Sequence, residues 1–157
     1  MLNNLEKLIK QNIPFLTPQT KAEVGLLYLS YRVSSHKQES FKKYNLTLQQ
    51  FNILRILRGQ YPKPANISLL RDRMLDKMSD ASRLVDRLHK SGLVTKQTND
   101  MDKRNADVLI SEKALALLVE IDQDEKEKPS YFDVLSTHEL SAFNEIVDKV
   151  LGNFLEH

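Results

Sequence analysis

The sequence predicts a mainly α-helical protein carrying one small β-hairpin, an α+β class, and three observations predict it. Apolar residues recur at helical spacing through most of the chain. Between Met78 and Ser111 an amphipathic run, MSDASRLVDRLHKSG, ends at a glycine. Two short strand-like segments, LVTKQTN and DVLIS, then flank a polar loop, DMDKRNA. Helix, strand, charged loop, strand is the order of a winged helix-turn-helix with helices on either side.

Leu2, Leu5, Leu8, Ile9 and Ile13 form a weak amphipathic segment stopped by Pro14. A longer helix is expected from about Gln19 to Lys43, with Val24, Leu27, Tyr28 and Tyr31 on one face and Ala22, Leu26, Leu29 and Val33 on another. Apolar on that much of its circumference, it must be covered from two sides; one cover could be its own domain and the other a partner subunit. Thr47 and Gln50 have capping-box spacing and open a helix through Phe51, Ile53, Leu54, Ile56 and Leu57 that is expected to end at Gly59. Pro62 and Pro64 prevent its continuation, and Asn66 can cap a short helix, ISLLRDRM.

The next helix is expected to begin near Asp76 or Lys77 and run to Ser91, with Met78, Ala81, Leu84, Val85 and Leu88 inward and Gly92 as the C-terminal cap. After the hairpin, Ser111 can cap a helix with Leu115, Leu118 and Ile121 along one side, ending before Pro129. Ser136 and Glu139 repeat the capping-box pattern. Beyond them Leu140, Phe143, Val147, Val150, Leu151 and Phe154 make an apolar stripe, for which a dimer interface built from the terminal helices is the economical cover and folding back on the chain's own first helix the alternative.

Charge is unevenly distributed: nine Lys/Arg stand against three Asp/Glu in residues 1–62, eleven against eight in 63–113, and three against ten in 114–157. A basic body with an acidic end suits a protein that offers one face to phosphates, although solvated helix faces give the same balance. With no cysteine, the chain has no disulfide, thiolate zinc site or thiol redox sensor. It shows no apolar stretch long enough to span a membrane and no secretory h-region, so the expected location is the cytoplasm, away from membranes. His36, His89, His138 and His157 are scattered, with no HExxH pair and no Gly-x-Ser-x-Gly elbow. Neither a catalytic set, a metal site nor a cofactor is expected.

The face opposite the apolar stripe of the central helix presents Ser79, Asp80, Ser82, Arg83, Asp86 and Arg87. Residues near the N-terminal end of such a helix reach base edges when it lies in the major groove. Lys77, Ser79, Asp80, Ser82, Arg83 and Arg87 are the candidate DNA-binding residues on it. Arginine pairs with guanine, and Asp80 could accept from cytosine N4. At the hairpin tip, Lys103 and Arg104 are candidates for the minor groove, where narrow A·T tracts concentrate negative potential, and Asp102 is placed to orient Arg104.

From about Leu48 to Ala114 the chain resembles the MarR (multiple antibiotic resistance regulator) family. The resemblance is carried by Ser82-Arg83-Leu84-Val85-Asp86-Arg87-Leu88, Lys90-Ser91-Gly92-Leu93-Val94, Asp102-Lys103-Arg104 and Ile110-Ser111-Glu112-Lys113. It implies a homodimer on a pseudo-palindromic double-stranded DNA operator, often a repressor released by a small-molecule effector. Arg104 then matches the wing arginine and Asp102 its orienting aspartate. Residues 46–112 would be the DNA-binding lobe, with 1–45 and 113–157 forming the dimerisation region. Tyr28, Tyr31 and Phe51 are a weaker candidate lining for an effector pocket. Arg71, Leu75 and Ala114 depart from the family's small Ala, turn Gly and post-strand Gly. An alternative keeps the fold but not the DNA: a protein-interaction or ligand-binding adaptor. Arg83, Lys103 and Arg104 speak against it, and Asp80, Asp86, Asp100 and Asp107 for it.

Overall fold

The computed structural model describes residues 3–98 and 106–155. The chain divides into two compact units, one reaching to Leu118 and the other starting at Val119.

In the first unit, α1 (Asn4–Leu8) is short, and α2 (Pro18–Phe41) is opened by Thr17, whose side chain accepts from Thr20 N–H at 3.1 Å. A 3₁₀ turn (Lys42–Tyr44) and Asn45, at φ 55°, end that rod; asparagine tolerates the left-handed region better than most residues. Gln38 spans the break, its Oε1 accepting from Leu48 N–H at 2.9 Å and its Nε2 donating to Leu46 O at 3.4 Å. The expected capping box closes at α3 (Leu48–Gln60): Gln50 N–H donates to Thr47 Oγ1 at 3.1 Å and Thr47 N–H to Gln50 Oε1 at 2.8 Å. Helix α3 does not stop at Gly59, which lies inside it; the end comes at Gln60, before Pro62.

Three strands form an antiparallel sheet in the order β1-β3-β2. β2 (Val94–Thr98) and β3 (Ala106–Ile110) pair from Val94↔Ile110 to Thr98↔Ala106, as the hairpin pattern predicts. β1 (Ala65–Asn66) was not expected from the sequence: two residues have no periodicity, and only pairing with Val108 and Asp107 makes them a strand. Asn66 also caps α4 (Ile67–Arg73), accepting from Leu69 N–H at 2.8 Å. The core gathers Ile53, Leu54 and Leu57 of α3, Leu70 of α4, Val85 and Leu88 of α5 (Ala81–Lys90), Val94 and Val108 of the sheet, and Leu118 of α6 (Glu112–Glu127). Ser111 caps α6 as expected, its Oγ accepting from Ala114 N–H at 3.2 Å.

Within the second unit, Ser136 and Glu139 form the expected capping box at the start of α7 (Thr137–Gly152). Phe132 and Phe143 pack with ring centroids 5.6 Å apart. No residue of α7 is buried; Ile146, Val150, Leu151 and Phe154 are all exposed.

Candidate nucleic-acid interface

The candidate interface is built around the turn from α4 to α5, and that turn starts from one buried residue. Met74 sits in the core, and Leu75 N–H donates to Asn52 Oδ1 at 3.0 Å, which ties the turn to α3. The Lys77 ammonium donates to the Asp72 carbonyl. Asp76 accepts from Ser79 Oγ at 2.7 Å and from Met78 N–H at 3.0 Å, and its carboxyl lies below the usual aspartate range, the Ser79 hydroxyl contributing most and Met78 N–H next.

These local bonds compete with helix, and they delay it. α5 therefore begins at Ala81, four or five residues later than the periodicity indicates. Met78, expected inward, is 94% exposed in the turn. Ala81, Val85 and Leu88 are buried as expected, and Leu84 is half-buried.

Of the candidate residues, Lys77 and Ser79 thus lie in the turn, Asp80 at the N-cap, and Ser82, Arg83 and Arg87 on the exposed side of α5. Asp80 Oδ1 accepts from Arg83 N–H at 3.1 Å while Oδ2 meets Arg83 Nε at 3.2 Å. One carboxylate both starts the helix and orients the guanidinium in its first turn.

The C-terminal end of α5 is welded to the hairpin. Gly92 takes φ 72°, and Leu93 N–H returns to Leu88 O at 2.9 Å, a closure that only a residue at ease with positive φ makes without strain. Ser111 Oγ donates to Gly92 O, and Lys113 Nζ to Ser91 O, each at 2.9 Å. His89 Nδ1 lies 3.1 Å from Val94 O. Asp86 accepts from Lys96 of β2 at 2.6 Å, and this bond holds its carboxyl below the usual range.

Lys96, Lys113, Asn52 and Asp76 hold the elements of the candidate interface in place, yet none was among the sequence candidates. Their roles arise from contacts between elements, which linear spacing does not carry. Asp102, Lys103 and Arg104 lie outside the described residues.

Phe51 packs on Phe41 with centroids 4.3 Å apart, while on α2 Tyr28 is half-buried and Tyr31 exposed. No three His, Asp or Glu among the described residues are grouped to hold a metal ion. No described helix is long and apolar enough to cross a membrane.

Residues 46–106, the stretch holding α3, the α4–α5 pair and the hairpin, match the model of the MarR family. The match is confined to this winged lobe. Over 121 residues the chain is 26% identical to the HTH-type transcriptional regulator MgrA of Staphylococcus aureus, covering 77% of this chain and 80% of that one. Solved MarR-family structures share its fold. AbsC, a MarR family transcriptional regulator from Streptomyces coelicolor, superposes with a TM-score of 0.74 at 16% identity, covering 92% of this chain and 100% of AbsC. A MarR protein from Peptoclostridium difficile gives 0.71 at 24% identity, with 90% and 91% covered. An organohalide-sensing regulator, RdhR, in its 2,4-dichlorophenol-bound form gives 0.74 at 19% identity, with 90% and 86% covered.

Proposed function

We propose that this chain is a MarR-family, cytoplasmic DNA-binding transcriptional regulator that binds a pseudo-palindromic operator as a homodimer and acts as a repressor released by a small molecule. The observation that carries the reading is the mounting of α5. Its buried face fixes it on α3, its far end is bonded to the hairpin, and Ser82, Arg83 and Arg87 are left exposed along its length. A helix held in that way presents a rigid polar edge to a major groove while the hairpin reaches the neighbouring backbone.

In this reading Ser82, Arg83 and Arg87 meet bases and phosphates, Lys77 and Ser79 position the backbone, and Asp80 aims Arg83. Lys103 and Arg104 enter the minor groove, with Asp102 orienting Arg104. The DNA-binding lobe spans 46–112; residues 1–45 and 113–157 supply the dimerisation region. The exposed apolar residues of α2 and α7 support a partner subunit as their cover. That RdhR was solved with 2,4-dichlorophenol supports an effector, for which Tyr28, Tyr31 and Phe51 are the candidate lining.

Of the acids that favour the adaptor reading, Asp80 is engaged by Arg83 and Asp86 by Lys96, which leaves these two less available to recruit a basic protein, while Asp100 lies outside the described residues. Titration of the purified protein on its own upstream DNA at two salt concentrations tests the proposal. Arg83→Ala and Arg104→Ala should each weaken binding by about 1–3 kcal/mol, and Arg104→Ala should lower the salt slope by about one unit. Unchanged affinity and slope in both variants would remove helix and wing from DNA recognition.

A further inference from the structure

Helix α1 buries one residue, and that residue is charged: Glu6 is 3% exposed. Its Oε1 accepts from Lys21 Nζ of α2 at 3.2 Å, whereas Oε2 is buried without a hydrogen-bond partner. Two contacts make this a built feature. Leu5 lies against Gly25 closely enough that a Cβ there would stand 3.4 Å from Leu5 Cδ2. The chain then reverses through Lys10, at φ 55°, with Gln11 N–H closing on Glu6 O at 2.9 Å. The result is a pocket of about 300 Å³ whose lining includes Glu6, Lys21, Pro14, Phe15 and Pro18. None of these belongs to the DNA-binding candidates or to the Tyr28, Tyr31, Phe51 set.

We propose that this pocket binds a small neutral molecule with an apolar body and a hydrogen-bond donor beside an acceptor, as in a primary amide. Oε2 can take a further donor: the backbone N–H of Glu6, the Lys21 ammonium and the backbone N–H of Asn3 hold the carboxyl below the usual glutamate range, but none closes a hydrogen bond on Oε2, and a buried polar atom left unpaired is destabilising. Lys21 spends one of its three N–H groups on Glu6 and can give another to an acceptor next to that donor. The Glu6–Lys21 pair is already neutral, so a charged ligand would bring an uncompensated charge against partly apolar walls. Pro14, Phe15 and Pro18 take the apolar body, and the volume, at the small end of ligand sites, suits a compound of about ten heavy atoms. The site stands on this geometry alone and does not depend on the DNA-binding reading.

Benzamide is the probe, titrated into the full-length protein by NMR, with benzoate and benzylammonium in parallel. Saturable benzamide binding is expected, at least about tenfold tighter than either charged analogue, with the largest shifts at Phe15. Glu6→Gln should weaken it about tenfold. Phe15→Ala, which leaves the Glu6–Lys21 pair intact, should weaken it as well, so the test survives if Glu6→Gln loosens α1. Three results overturn the proposal: no saturation up to the solubility limit, as when solvent alone occupies the pocket; equal affinity in wild type and both variants; or shifts centred on Tyr28, Tyr31 and Phe51.

Discussion

Asp80 bonds both the first-turn backbone of α5 and the guanidinium that points from that turn. Removing it should act twice. Asp80→Ala is expected to cost about 0.5–2 kcal/mol in urea unfolding through the lost cap, with Asp80→Ser recovering most of that stability but not the hold on Arg83. Equal stability of all three proteins would deny the cap its role. Asp76 gives a pH dependence of known sign. Its folded pKa is depressed, so its contribution is present above the unfolded value near 4 and is lost as pH falls through the lower folded value. The stability gap between wild type and Asp76→Asn should therefore be constant from about pH 7 to 5 and narrow below about pH 4; a gap flat down to pH 2 would mean that the carboxylate charge is irrelevant. Sequence spacing singled out Asp80 as an exposed candidate but did not show that it is already engaged, because a side chain's partner depends on where the helix starts.

Glycines separate the elements into those that a periodic pattern describes and those that it does not. Gly59 was read as a helix terminator, yet it lies within α3, where an added Cβ would meet nothing within 4 Å. Gly59→Ala should raise stability by about 0.5–1 kcal/mol, while Gly92→Ala, forced into φ 72°, should lower it by a comparable amount or more. Melting curves of the two variants that shift in the same direction would contradict this assignment. The caps at Thr47, Asn66, Ser111 and Ser136 were legible because each depends on residues three positions away. The late start of α5 was not, since apolar spacing cannot register that Asp76 and Asp80 bind the backbone ahead of it. Nor was β1, which owes its extended form to a partner some forty residues further on.

At the scale of the whole molecule, the exposed apolar stripe of α7 and the exposed Leu26, Leu27 and Tyr31 of α2 carry the proposed dimer. Truncation before Pro129 should yield a monomer by light scattering, and a truncated protein that remains dimeric would refute the use of α7. The intact dimer should protect two half-sites roughly 34–36 Å apart or a multiple of that spacing, whereas a single asymmetric footprint would argue for another assembly. By itself the sequence determined the order of the elements, most of their caps and the winged lobe that the family comparison recognises, because these depend on neighbours within a few residues. Tertiary structure alone decided that Met78 faces outward, that Lys96 ties the hairpin to α5 and Lys113 the start of α6 to the end of α5, and that Glu6 is buried with one oxygen unmatched. Burial and pairing of this kind are set by residues brought together from distant positions, and their energies depend on distances that no local pattern contains.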